Sequence, residues 1–271
     1  MKFLSKLAVG ILGMLSIYTF CNSNVFKINR VRVQTRKFPL NGKVQILQIS
    51  DMHNKRAWGL HKRLLYKIDK LHPDMIVLTG DLVDRKTKDF RKIFTFIDML
   101  AATKIPIFFV TGNHEWGNSK NKQFLTGLEN RGVIILSNKA VELELNSVKV
   151  TLVGIDDTST EHENIPEAFR HVKNDAYMIL LSHSPYVIKK YPYLPVDLVL
   201  SGHTHGGQIR FPIIGAVISP GGGLFPELDK GLFQWGRDKY IYVDSGLGTS
   251  TIPIRFLNQS QMSLIQIERD N

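Results

Sequence analysis

The chain has 271 residues, 43% hydrophobic and 22% charged, a globular balance that excludes disordered, collagen-like and fibrous states, and its single cysteine excludes a disulfide framework or a cysteine-based zinc cluster. The net charge of +11 is concentrated at the start, since residues 1–50 hold eight Lys/Arg and no Asp/Glu. The other 221 residues carry 27 basic and 24 acidic side chains, too even for a basic binding face, so no specific nucleic acid is expected as a partner.

Two lysines within Met1–Lys6 precede Leu7–Cys21, which is almost purely apolar. A basic start followed by roughly 15 apolar residues matches a secretory signal, and Phe3, Leu4 and a snorkelling Lys6 lengthen it toward the about 20 residues of a membrane anchor. Residues 1–24 are therefore read as a signal sequence or anchor, and residues 25–271 as one domain. Cys21 is a poor lipidation site because bulky Phe20 precedes it, and Cys21-Asn22-Ser23 is a poor cleavage site. Lys27, Arg30, Arg32, Arg36 and Lys37 would hold the body in the cytoplasm by the positive-inside rule. Yet Phe26–Val33 also alternates as a strand with its basic residues toward solvent, which leaves sidedness open with the extracytoplasmic side preferred.

From Val44 onward, apolar runs alternate with helical patterns. The runs are Val44–Ser50, Asp74–Thr79, Pro106–Thr111, Tyr177–Ser182 and Val196–Ser201, and helices are predicted over Leu60–Leu71, Lys88–Ala102 and Lys120–Arg131. This alternation implies a parallel or mixed sheet covered by helices. Val141–Leu145 and Val148–Gly154 flank Asn146-Ser147 as a hairpin. The glycine- and proline-rich tail predicts further strands near Tyr240–Asp244 and Met262–Ile267, with Phe225, Phe233 and Trp235 read as packing or as a pocket rim, like Trp58 and Gly59 earlier.

Each apolar run ends directly in polar residues: Asp51-Met52-His53, Gly80-Asp81 through Asp84-Arg85, Gly112-Asn113-His114-Glu115, His183, and Gly202-His203-Thr204-His205. Ligands of open α/β sheets bind beyond the carboxyl ends of strands, so five such ends would converge on one crevice. Taken singly, each segment reads as a turn or a helix cap. Together they gather five of the nine histidines, which turns and caps do not account for. Nitrogen and oxygen donors without thiolate suit Mn, Fe or Zn, and they are too many for one tetrahedral ion but enough for two, about 3.5–4 Å apart. An extended Gly-His-Thr-His segment would project His203 and His205 to one side about 6.5–7 Å apart, one toward each ion. His61, His72, His162 and His171 lie in helical or loop contexts and read as structural.

This ordered set resembles the calcineurin-like metallophosphoesterases, and Gly206-Gly207-Gln208-Ile209-Arg210 with Gly246-Leu247-Gly248-Thr249-Ser250 is similar to their bacterial, membrane-associated YkuE/YaeI-type branch. The resemblance implies a four-layer α/β/β/α sandwich with mixed sheets and a single catalytic domain after the amino-terminal segment. It implies Asp51, His53 and His205 on a first divalent metal ion, Asp81 bridging, and Asn113, His183 and His203 on a second. His114 would face the substrate as a proton donor, Asp84 would orient it, and Arg85 would grip phosphate. The implied activity is hydrolysis of a phosphodiester or pyrophosphate by hydroxide formed between the two ions. Related phosphatases carry an arginine before Gly-Asn-His-Glu, and Thr111 stands there instead, which favours a diester over a dianionic phosphoprotein. With the apolar amino terminus, the expected substrate is lipid-linked or part of the cell envelope, and the expected state a monomer. The competing readings are a pyrophosphatase of nucleotide-linked acyl sugars, a cyclic-nucleotide or nucleic-acid phosphodiesterase, and a non-catalytic scaffold. The scaffold reading is opposed by a complete ligand set, and the nucleic-acid one by the nearly neutral body.

Overall fold

A computed structural model describes residues 2–55, 60–173, 176–220, 222–249 and 253–270. Its centre is built from strands apolar at nearly every position. In β2 (Lys43–Ile49), β3 (Met75–Thr79) and β4 (Ile107–Val110), Val44, Ile46, Met75, Val77, Phe108 and Val110 point to one side, and Leu47, Ile49, Ile76, Leu78 and Phe109 to the other. Side chains alternate along a strand, so such runs need cover on both faces.

The first sheet has the order β1-β16-β2-β3-β4-β5, with β1 (Lys27–Thr35), β16 (Gln261–Arg269) and β5 (Ile134–Ile135). Strands β2 to β5 run parallel, and β16 lies antiparallel to β2 and parallel to β1. The second sheet has the order β14-β15-β9-β8-β7-β6, with β14 (Gly231–Gly236), β15 (Lys239–Val243), β9 (Leu198–Ser201), β8 (Tyr177–Leu181), β7 (Val148–Gly154) and β6 (Lys139–Leu145). Its four inner strands are parallel and its two edges antiparallel. The sheets meet face to face through Ile46, Val77 and Phe108 on one and Leu152, Ile179 and Leu200 on the other. Buried Gln48 spans the interface, donating from Nε2 to Thr79 Oγ1 and to the Ser201 carbonyl, both at 2.9 Å. This ties the carboxyl ends of β3 and β9 together.

Helices α2 (Leu60–Leu71), α3 (Arg91–Ala101) and α5 (Asn121–Glu129) cover the outer face of the first sheet through Leu64, Ile68, Ile93, Phe96 and Phe124. The outer face of the second sheet is covered more thinly, by α6 (Ile165–Ala168), α7 (Val187–Lys190) and side chains including Phe233 and Trp235. The architecture is the expected α/β/β/α sandwich. Asn146 and Ser147 both take left-handed backbone (φ 50° and 62°), the conformation of a tight two-residue hairpin turn. Strand β14 and two short ribbons, β10 (Arg210–Phe211) with β11 (Gly215–Ala216) and β12 (Ile218–Ser219) with β13 (Gly223–Leu224), were not foreseen in the sequence.

The amino-terminal segment forms α1 (Lys2–Asn24). Within Phe3–Asn24 every described side chain before Asn22 stands outside the core, so this is no core helix; by length and composition it can cross a membrane. Its last turn does dock on the body. Ser23 Oγ accepts the Arg255 amide at 2.9 Å, and the Ser23 carbonyl accepts Ser260 Oγ at 3.0 Å and the ammonium of Lys55.

Candidate metal centre

The chain leaves the five predicted strand ends through tight turns. Asp51, His53, Asp81, His203 and His205 all have positive φ, between 49° and 72°. Asp and His tolerate this region better than other non-glycine residues, and the backbone reversal aims their side chains back over the sheet ends. Gly80 (φ 83°) must be glycine, because a Cβ there would lie 2.6 Å from His183 Nδ1 and 2.8 Å from the Gly112 nitrogen. A Cβ on Gly246 (φ 71°) would lie 2.6 Å from Asp51 Cβ, which accounts for the first glycine of Gly246-Leu247-Gly248. Ser250 of that motif lies outside the described residues, as do Trp58 and Gly59.

Of the predicted residues, Asp51, His53, Asp81, Asp84, His114, His183, His203 and His205 gather here, and Arg85 is exposed. Asp51, His53 and His205 form one group of potential ligands, and Asp81, His183 and His203 another, the donor atoms of each lying within 4.8 Å of one another. Asp81 faces both, with Oδ2 3.2 Å from His183 Nε2 and 3.7 Å from His53 Nε2. His205 Nε2 lies 3.5 Å from Asp51 Oδ1 and 3.0 Å from His53 Nε2. Asn113 opens the short helix α4 (Asn113–Trp116), and its Oδ1 is buried without a hydrogen-bond partner. His114 also falls within reach of His53 and Asp81, but its side chain is 25% exposed whereas those two are buried. The Gly-His-Thr-His segment is not extended as expected. Thr204 has right-handed helical backbone between left-handed His203 and His205, and the two rings reach different groups by a turn and not by strand geometry.

A ring of partners fixes the imidazoles. His183 Nδ1 donates to the Thr79 carbonyl at 2.8 Å, which turns Nε2 to the cluster, and His53 Nδ1 lies 2.8 Å from Asp84 Oδ1 with the same effect. Asp84 therefore sits closer to His53 than to His114, whose Nδ1 is 3.5 Å away. Burial and the neighbouring His183 hold the His203 imidazole down to about 4, and burial beside His53 holds His205 well below its ordinary value. Both rings thus offer a free lone pair at neutral pH. Burial raises Asp51, whereas Asp81 is held well below the usual carboxylate range because His183, His53 and His114 outweigh its burial. Two carboxylates this deep need compensating positive charge.

Two further side chains support the site. Glu115, fully buried, accepts the backbone N–H groups of Asp81, Leu82 and Gly112 at 2.8 Å and of Val83 at 3.2 Å. Arg255 is also fully buried, donating to the carbonyls of Gly248 (2.9 Å) and Ser245 (2.5 Å) behind Asp51. Glu115 was visible only as the last letter of a motif, and Arg255 and Lys55 carried no sequence signal. Thr111 Oγ1 donates to Asp156 at 2.7 Å and accepts from Trp116 Nε1 at 2.9 Å. Arg85 is exposed, its stem lying over Gly117. His162 stacks on Trp116 at 3.7 Å, in keeping with its structural reading.

The donor set fits a pair of divalent ions: carboxylates, imidazoles with free nitrogens and an orphaned amide oxygen, without thiolate. The calcineurin-like phosphoesterase family profile matches residues 44–207. The chain is 31% identical over 252 residues to the Bacillus subtilis metallophosphoesterase YkoQ, covering 91% of this chain and 92% of that one. It is 32% identical over 268 residues to a metallophosphoesterase of Aquifex aeolicus, covering 94% and 97%. A Danio rerio transmembrane protein with a metallophosphoesterase domain is 27% identical over 282 residues, 97% of this chain and 62% of that protein. Among solved structures, a 5'-nucleotidase precursor of Thermus thermophilus aligns with TM-score 0.50 at 13% identity over 76% of this chain and 49% of that one, a likeness of fold alone. Relatives named as transmembrane proteins and the exposed apolar helix suggest membrane association. With profile, relatives and ligand geometry in agreement, the chain belongs to the calcineurin-like metallophosphoesterase family and is a metal-dependent phosphoester hydrolase.

Proposed function

We propose that the protein is a membrane-tethered phosphodiesterase with two metal ions, in which residues 1–24 form the tether and residues 25–271 the catalytic domain. Asp51, His53 and His205 would hold the first ion, Asn113, His183 and His203 the second, and Asp81 both. The observation that carries this is the position of Asp81 Oδ2 between His53 and His183, which belong to different ligand groups. When bound, two Mn, Fe or Zn ions would supply Lewis acidity toward phosphoryl oxygens and a water acidic enough to react at neutral pH.

The remaining roles fall to the protein. His114, partly exposed, would donate a proton to the leaving oxygen, with the Asp84 carboxylate 3.5 Å from its other ring nitrogen. Arg85 would meet the phosphoester from the solvent side. The preference for a diester or pyrophosphate is supported by Thr111, whose hydroxyl is spent on Asp156 and Trp116 and so adds no charge against a dianion. The exposed apolar helix supports a substrate that is lipid-linked or part of the cell envelope.

The test is a comparison of bis(para-nitrophenyl) phosphate with para-nitrophenyl phosphate, each with added Mn, Zn, Fe or Mg. The diester should be hydrolysed faster. Preferential hydrolysis of the monoester would overturn the assignment.

A further inference from the structure

The ribbons that follow the last proposed ligand carry apolar side chains that stand exposed among the described residues. Phe211, Ile213, Ile214, Ile218, Leu224 and Phe225 are all exposed. Scattered exposed apolar residues are ordinary, but six within one short stretch are not. Ile213 is fully exposed on left-handed backbone (φ 70°), a conformation that β-branched side chains avoid. Neither core packing nor turn preference accounts for an isoleucine there.

This patch is joined to α1. Tyr18 packs edge-on against Phe256 with ring centres 5.6 Å apart, and Phe256 lies 6.3 Å from Phe211. The backbones are stitched too, as the Arg210 amide donates to the Phe256 carbonyl and the Phe256 amide to the Gln208 carbonyl, both at 3.0 Å. Exposed Ile254 and Leu257 flank the aromatic contact. The patch also borders the metal centre. A Cβ on Gly207, two residues after His205, would touch Ala216 and the Ile218 carbonyl. A cavity of about 660 Å³ reaches from His53 and Asp84 to Ser23, Asn24 and Pro253 at the foot of α1, and Lys86 and Lys88 line it.

We infer that these loops form a lip resting in the boundary between headgroups and acyl chains around α1, so that the cavity opens at the membrane surface and the metal centre takes its phosphoester from an amphiphile held in the bilayer. This rests on the proposed tether and diesterase activity. A bilayer is the occupant because the patch continues a helix whose part before the buried last turn, Phe3–Cys21, is about 28 Å long, close to the roughly 30 Å of a hydrocarbon core. Lys86 and Lys88 suit an anionic headgroup at that opening, where the nearby Asp89 is paired with Arg91 at 2.7 Å.

The experiment uses the full chain in vesicles of acyl-brominated phosphatidylcholine with a minority of phosphatidylglycerol. Ile213→Trp should add fluorescence that the brominated lipid quenches. Tyr193→Trp, in an equally exposed loop at the far ends of the strands, should add fluorescence that is not quenched. Separately, Ile213→Asp with Leu224→Asp should slow hydrolysis of hexadecyl para-nitrophenyl phosphate embedded in the vesicles by about tenfold, the loss expected from withdrawing apolar side chains from lipid. Hydrolysis of soluble bis(para-nitrophenyl) phosphate should be unchanged. Equal quenching at the two tryptophans, or none at either, overturns the lip, as does an equal loss on both substrates. A chain that hydrolyses neither diester yet shows quenching only at Ile213→Trp would retain the lip and remove the proposed function.

Discussion

Asp51, His53, Asp81, His203 and His205 all hold left-handed backbone, at about 1 kcal/mol or more each for a side chain other than glycine. Five of the seven proposed metal ligands carry this strain, stability given up for aim, and bound ions would compensate it. His114 is different in kind, being partly exposed on ordinary helical backbone. His114→Ala should lower kcat by about 10²–10⁴-fold while metal content stays intact, because its role is in the transition state. Loss of metal from that variant would make it a ligand, which its reach to His53 and Asp81 allows. Asp84→Asn tests the partner. Burial would push Asp84 up, but the rings of His114 and His53 hold it down to about 2, so it stays ionised across the neutral range. Removing that charge from His53 Nδ1 should weaken metal binding by about 10–100-fold in a competition titration with a chelator. Unchanged affinity would leave Asp84 serving His114 alone.

At the scale of elements, the loops after β3 and β4 are tied together by one buried carboxylate. Glu115 is the shared acceptor for Asp81, Leu82, Val83 and Gly112, so Glu115→Ala strands four buried donors. It should lose at least about 3 kcal/mol in a denaturant titration, with Glu115→Gln losing clearly less. Equal, small losses would mean that the loops stand without it. The elements themselves were readable because their causes are local. Short apolar runs alternating with helical patterns announced a parallel or mixed sheet covered by helices, and Phe90, Ile93 and Ile97 announced the helix now found at Arg91–Ala101. Five ligand loops were readable because Asp, His and Gly recur at the strand ends. The failures have long-range causes. Gly202-His203-Thr204-His205 reads as extended in isolation, but its backbone turns where Gly202 closes on Ser50, leaving no room for a Cβ. Arg255 looks like any tail arginine until Ser245 and Gly248 fold over it. The ribbons after His205 have too few residues to show a period.

For the whole molecule, the seam between helix and body falls inside α1 and not after it. A chain beginning at Asn24 loses Ser23, which accepts from Arg255, Ser260 and Lys55. It should remain folded but be about 1–3 kcal/mol less stable than one beginning at Tyr18, by denaturant titration of both. Equal stability would show that the docked turn contributes nothing. The full chain should sediment with membranes and resist high salt, since an apolar helix and not charge would hold it. The central claim, a shared two-metal centre, is met most directly by elemental analysis of the wild type and of Asp81→Asn after supplementation with Mn, Fe or Zn. The wild type should hold about two ions per chain, and Asp81→Asn should lose both, because one carboxylate serves each site. A wild type holding one ion or none, or an Asp81→Asn variant that keeps its full complement, would contradict it.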